Sequence, residues 1–309
     1  MINKTIKIGT RDSELALWQA HTVQKKINDL GYKTEIVAVK SQGDIILDKP
    51  LYELGITGIF TKTLDIAMLN GTIDIAVHSM KDVPTALPHG IVQAAVLERA
   101  NFLDLLIHKG SLDFLSQDGV IATGSLRRKA QWLNKYPSHQ VVDLRGNVNT
   151  RMQKLQDNPW NGAIFAAAGL ERINLKPENY LNLDWMIPAP AQGAMVVVAM
   201  ENDSFCREVI GKLNHEATEI CTKVERDFLR TLEGGCTAPI GALATIKGDQ
   251  IELEGILLSI DGQTKIEIKK QTTRSNYQNF GVLCAKEVLE NGGTELMQSI
   301  KIVLSAPKK

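Results

Sequence analysis

Two short stretches hold the residue types from which chemistry could be built. In "LEGGCTAPIGALA" (232–244) one cysteine, Cys236, follows a Gly-Gly pair. The glycines permit backbone angles that expose the next side chain on a loop, where a nearby basic group favours the thiolate. The competing reading is a small buried hydrophobe, the usual state of a free cysteine, and Cys206, Cys221 and Cys284, which sit in helical patterns, fit it. In "HSMKDVP" (78–84) Lys81 and Asp82 stand side by side between a strand-like run and a proline. In a turn both can reach one cleft, Asp82 to shuttle a proton or stabilise a developing cation, Lys81 to hold an acidic substituent. A structural salt bridge or turn cap remains the alternative.

A third set is spread along the chain. Arg11 and Ser13 follow "IKIGT"; Ser125, Arg127 and Arg128 follow "VIATG"; Arg145 and Asn147 follow "VVDL", with Arg151 one helical turn beyond; Arg172 follows "FAAAGLE". Any one of them alone is adequately read as solvated surface. As a set they lie where open α/β sheets bind ligands, just past the carboxyl ends of strands. Guanidinium forks pair with carboxylates, and helix N-termini offer N–H donors to anions. Such loops suit a ligand with several carboxylates. Phosphate competes, but neither G-x-x-x-x-G-K-[ST] nor G-x-G-x-x-G occurs.

The elements that must position these groups are legible in the periodicity. β-branched runs alternate with amphipathic helices over the first two thirds, which predicts a largely parallel sheet flanked by helices. "IKIGT", "TEIVAVK" and "IDIAVHS" with their helices make one lobe; "GVIATGS", "QVVDLRG" and "GAIFAAAG" with theirs make another. The strand-like "MVVVAM" (195–200) follows the second set, so the chain is expected to return to the first lobe and cross between lobes twice. After about residue 214 the pattern becomes a helix, then strands joined at Gly-Asp and Asp-Gly turns, then a last helix. The fold class is therefore α/β: two similar α/β lobes plus a small C-terminal α+β domain. The boundaries are residues 1–97 with 195–213 for domain 1, 98–194 for domain 2 and 214–309 for domain 3.

Bulk properties narrow the function. The 309 residues balance 35 Lys+Arg against 35 Asp+Glu, so no global polyanion surface is expected and nucleic acid is excluded as a partner. No apolar run is long enough to span a membrane, and the opening "MINKTIKIGTRDSELALWQ" has no apolar h-region, so no secretory leader is expected. Four cysteines without a C-x-x-C pair, and six histidines without H-x-x-x-H spacing, argue against a disulfide framework and a metal site; a cytoplasmic location is expected.

Taken in order, "GTRDSELALWQA", "DIAVHSMKDVP", "GSLRRKAQ", "LRGNVNTR", "AAAGLERI", "PAPAQGA" and "LEGGCTAPIGA" resemble the porphobilinogen deaminase (hydroxymethylbilane synthase) family over nearly the whole chain. The resemblance implies three domains, the first two like the lobes of a periplasmic-type binding protein, and a dipyrromethane cofactor held by a thioether to Cys236. It implies that Ser13, Lys81, Ser125, Arg127, Arg128, Arg145 and Asn147 hold the cofactor. Arg11, Arg151, Arg172 and Gln192 would serve the substrate, porphobilinogen, whose acetate and propionate bring many carboxylates into one cleft. Asp82 would stabilise the cation left when ammonia departs and relay the proton lost on bond formation. Four such additions and a hydrolysis would release linear hydroxymethylbilane. A monomer is implied.

The sequence departs from the family pattern at Gln42, where an arginine is frequent, and in "GITGIF", where Thr57 stands in the place of a lysine. "PAPAQGA" has Pro190 and Ala191 where a glycine-containing version is more usual. Two other classes fit parts of the chain: a non-catalytic two-lobed binding protein for an acidic small molecule, and a thiol hydrolase, for which His215 is the nearest histidine to Cys236 in sequence.

Overall fold

The computed structural model describes residues 4–39, 61–232 and 238–305; Gln42, Thr57 and Cys236 lie outside them. The first sheet is built from β1 (Ile6–Arg11), β2 (Thr34–Val39), β3 (Ile75–Ser79), β4 (Ile91–Val96) and β10 (Met195–Met200), in the order β2-β1-β3-β10-β4. Helix α1 (Glu14–Asp29) buries Ala16, Ala20, Val23 and Ile27, a spacing of three and four that puts them on one face. Ala20, Val23 and Ile27 join Ile6, Ile8, Ile75 and Val77 in one core layer. Leu64 and Met68 of α2 (Lys62–Leu69) pack with Ala76, Val196 and Val198 in the other.

The second sheet has the order β7-β6-β8-β5-β9, from β5 (Asp104–His108), β6 (Val120–Ala122), β7 (Gln140–Val142), β8 (Gly162–Ala166) and β9 (Tyr180–Asn182). Helices α3 (Leu126–Lys135), α4 (Val148–Asp157) and α5 (Ala167–Arg172) connect them. The third sheet, β11 (Ile240–Lys247), β12 (Gln250–Leu258) and β13 (Lys265–Thr273), is an antiparallel meander. It packs with the helices α7 (Glu216–Thr231), α8 (Phe280–Val288) and α9 (Thr294–Ser305) through Phe228, Leu253, Ile268 and Ile300. A further helix, α6 (Ser204–Gly211), joins β10 to α7.

Three details differ from the periodicity. Both five-stranded sheets are mixed: β10 runs antiparallel to β3 and β4, and β5 antiparallel to β8 and β9. "MVVVAM" is buried on both faces, so it carries no alternation and nothing local records its direction. "GAIFAAAG" ends as a strand at Ala166, and its alanines open α5, as their high helix propensity permits. The C-terminal helical region breaks at Asn291-Gly292, where Gly292 takes φ 95°, and α9 follows.

The two crossings between the sheets lie side by side. Leu97 N–H donates to Met195 O at 3.0 Å and Ala100 N–H to Gly193 O at 3.1 Å. Gly193 has φ 86°, and a Cβ there would stand 2.7 Å from Ala100 O, so only glycine lets the strands approach. Ala191, fully buried, also adopts a left-handed φ of 63°. A left-handed non-glycine residue costs roughly 1–2 kcal/mol, against about 0.4–1 kcal/mol for the extra freedom glycine gives the unfolded chain. Deleting its buried methyl costs roughly a further 0.8 kcal/mol, so Ala191→Gly should stay within about 1 kcal/mol of the parent, less than an ordinary buried Ala→Gly change costs. A urea midpoint that falls further than this would contradict the strain.

Candidate active site

The strand ends deliver the sequence-selected residues as follows. Arg11 ends β1, and Ser13 takes the N-cap position of α1. Beyond β3, Met80–Asp82 form a single 3-10 turn whose start is fixed by Met80 N–H donating to Ala194 O at 3.0 Å on the crossing segment. Ser125 caps α3 by accepting from Arg128 N–H, and Asn147 caps α4 by accepting from Thr150 N–H at 2.9 Å. These caps set the directions in which Arg127, Arg128 and Arg151 leave their helices.

Arg127, Arg128 and Arg145 are 4%, 6% and 7% exposed, which removes the solvated-surface reading for all three. A buried carboxylate that sequence reasoning missed, Asp104 on β5, organises two of them. Arg128 Nε and Nη2 lie 2.9 and 2.7 Å from Asp104 Oδ1, and Arg127 Nη1 lies 2.7 Å from Oδ2. Gln192, fully buried on the return crossing, donates to Asp104 Oδ1 at 2.9 Å and to Phe102 O at 2.8 Å, and accepts from Lys81 Nζ at 3.1 Å. One amide thus links the turn bearing Lys81 in the first sheet to the carboxylate in the second. Arg172, the last residue of α5, donates to Gly193 O on the crossing at 2.8 Å and places its guanidinium 5.6 Å from the Trp18 ring of α1 in the first lobe.

The electrostatics follow from burying many cations together. Burial pushes the Asp104 carboxyl up, but Arg127 and Arg128 outweigh it and hold it well below the usual carboxylate range. Burial, reinforced by Arg128, lowers Lys81 to about 8. Arg151 is lowered to about 10, first by burial and then by Arg128 and Arg145, with Asp82 working the other way. Arg11 adds to the same repulsion, so groups from both lobes share one field. Such a site lowers its own energy by taking up carboxylates. Arg151 Nε, buried and without a hydrogen-bond partner among the described residues, is one donor left for them. The donor set therefore fits a dipyrromethane with its acidic side chains.

Removing Asp104 would leave two guanidinium groups buried without their counter-charge. Asp104→Ala is expected to cost about 3–5 kcal/mol; a denaturant midpoint close to wild type would contradict its place at the centre of the cluster.

The other thiols do not compete for a reactive role. Cys206, Cys221 and Cys284 are buried, and burial pushes them up to about 12, 12 and 11. Asp74, Asp203 and Cys206 converge, but Lys4 Nζ fills the space between them, 2.8 Å from Asp74 Oδ1 and 2.9 Å from Asp203 Oδ2. His215 is taken up as the N-cap of α7, its ring accepting from Thr218 N–H at 3.3 Å. An open depression of about 450 Å³ beside Tyr136 and His139 is lined by neither Lys81, Asp82 nor the arginines.

Comparison with known proteins bears on this arrangement. The family model "Porphobilinogen deaminase, dipyromethane cofactor binding domain" matches residues 6–208, and "Porphobilinogen deaminase, C-terminal domain" matches residues 219–290. A porphobilinogen deaminase from Desulfitobacterium hafniense is 42% identical over 307 residues, covering 97% of this chain and 99% of its own. One from Campylobacter hominis is 40% identical over 301 residues, covering 95% and 97%. Among solved structures, an ABC-transporter periplasmic substrate-binding protein from Coxiella burnetii aligns with 70% of this chain and 94% of its own, at a TM-score of 0.44 and 15% identity. Among the described residues no helix is long and apolar enough to cross a membrane.

Proposed function

This chain belongs to the porphobilinogen deaminase family, and from that membership we propose how its residues divide the work. It is an enzyme of tetrapyrrole synthesis with a dipyrromethane cofactor. We take residues 1–97 with 195–213 and 98–194 as the two lobes enclosing the cleft, and 214–309 as the domain that anchors the cofactor through Cys236. When bound, the dipyrromethane supplies a nucleophilic pyrrole α-carbon at which the chain is primed.

The protein's own groups do the rest. Ser13, Lys81, Ser125, Arg127, Arg128, Arg145 and Asn147 hold the cofactor's carboxylates, and Arg11, Arg151, Arg172 and Gln192 serve the incoming porphobilinogen. Bidentate guanidinium–carboxylate pairing fixes ring orientation as well as charge. Within this set the structure gives Arg127 and Arg128 a shared internal partner, Asp104, so they offer their remaining donors from a fixed platform. Asp82, on the turn beside Lys81, faces the electrostatic field of Arg151. Its carboxylate stabilises the pyrrole cation formed when the aminomethyl group of porphobilinogen leaves as ammonia, and accepts the proton released when the new carbon–carbon bond forms. The observation that carries this reading is the buried cluster of cations from both lobes around Lys81 and Asp82, in a chain whose relatives condense a substrate rich in carboxylates.

The experiment is a stoichiometry. Purified protein given porphobilinogen should release four ammonia molecules for each linear tetrapyrrole formed, and Arg151→Leu should stall at shorter enzyme-bound chains visible by mass. Binding of porphobilinogen without ammonia release would favour the two-lobed binding protein instead. We also place the enzyme in the cytoplasm as a monomer, in keeping with three buried free thiols; light scattering of the purified protein tests the oligomeric part.

A further inference from the structure

The turn that carries Asp82 is short, and a turn of this size does not fix a carboxylate by itself. Met80–Asp82 makes one 3-10 turn, closed by Val83 N–H donating to Met80 O at 3.2 Å. Pro84, which has no N–H to give, follows. The carbonyls on both sides of Asp82 nevertheless have a common partner. Arg226, on α7, donates from Nη1 to Met80 O at 3.2 Å and to Val83 O at 2.9 Å, and from Nη2 to Pro84 O at 2.6 Å. A planar guanidinium can serve three acceptors in a fixed fan, which a lysine ammonium on a flexible stem does not reproduce.

The helix bearing Arg226 cannot yield easily. Its neighbour Glu225 is fully buried and accepts from Arg99 Nη1 at 2.5 Å, from Ala191 N–H at 2.6 Å and from Ala244 N–H at 2.7 Å. Arg99 N–H also donates to Thr218 Oγ1 at 3.1 Å, about two turns earlier on the same face of that helix. Consecutive residues of one helix therefore hold both interlobe crossings and the Asp82 turn. We infer that Arg226 is a positioning residue for the condensation: it acts through the Met80, Val83 and Pro84 carbonyls to hold the Asp82 carboxylate at the reacting pyrrole. This rests on the role given to Asp82 above.

Because displacement of a catalytic group by about 1 Å can cost 10²-fold in rate, the effect should appear in kcat more than in binding. The test uses purified holoenzyme with the covalent cofactor verified by intact mass. Arg226→Met should remain folded and loaded, with kcat for porphobilinogen down roughly 10- to 100-fold and KM within about threefold. Arg226→Lys, able to keep part of the fan, should recover some of that loss; should the Met variant fail to fold, the Lys variant carries the test, with a kcat loss of at least about threefold. In an Asp82→Glu background the further loss from Arg226→Met should shrink to less than about threefold, because the carboxylate is already displaced. A folded, loaded Met variant with wild-type kcat would overturn the inference, and so would equal fold-losses in the two backgrounds, which a purely structural role predicts. Full turnover in Asp82→Ala would remove the underlying role of Asp82; an inactive Asp82→Ala beside a fully active Arg226→Met would remove only the inference drawn here.

Discussion

Asp82→Ala should fold, carry its cofactor and bind porphobilinogen, yet lose turnover by about 10³-fold or more. The turn keeps its shape without the side chain, because its fixed points are backbone groups: Met80 N–H on Ala194 O, and the Met80, Val83 and Pro84 carbonyls on Arg226. Stability should move little. What disappears is the negative charge set among cations, which the proposal assigns to stabilising the substrate cation and taking up its proton. Asp82→Asn separates the two contributions, since it retains shape and some hydrogen bonding but neither charge nor basicity. If single-turnover ammonia release in either variant matches the parent, Asp82 is not the catalytic carboxylate.

Cys236→Ala should be inactive at any substrate concentration, an effect larger still because no primer can be retained. The distinction from Asp82→Ala lies in what is lost: the mass of the cofactor rather than the rate of a step. Cys206→Ala, Cys221→Ala and Cys284→Ala should keep the cofactor, for these thiols are buried in helix-packing positions and held far above neutral pH. Any activity cost in them should follow folded yield.

How much of this was legible beforehand depends on whether a feature is local. The arginines could be picked out because strand ends and helix starts are marked by short sequence signals, and the caps at Ser125 and Asn147 are where such signals place them. Asp104 was missed although a hint existed: a single acid opening the apolar run "DLLIH" should be buried and paired. Its partners lie 23 and 24 residues on, beyond any periodicity. Glu225 was hidden similarly, since it sits on the buried face of α7 among Cys221, Val224 and Phe228 and meets Arg99 only in three dimensions. Strand direction in the mixed sheets was illegible because direction is a property of the connections, which residue types do not encode. Ala191 was visible as a departure from the family pattern, but its left-handed backbone was not.

The central claim is that an acid-bearing oligopyrrole tethered at Cys236 is extended among buried cations from two lobes. Intact-mass and peptide mass spectrometry of the active, purified enzyme tests it most directly. The account predicts an added mass of two pyrrole units, located on the peptide containing Cys236 and absent from Cys236→Ala. Active enzyme whose Cys236 carries no such adduct would contradict it.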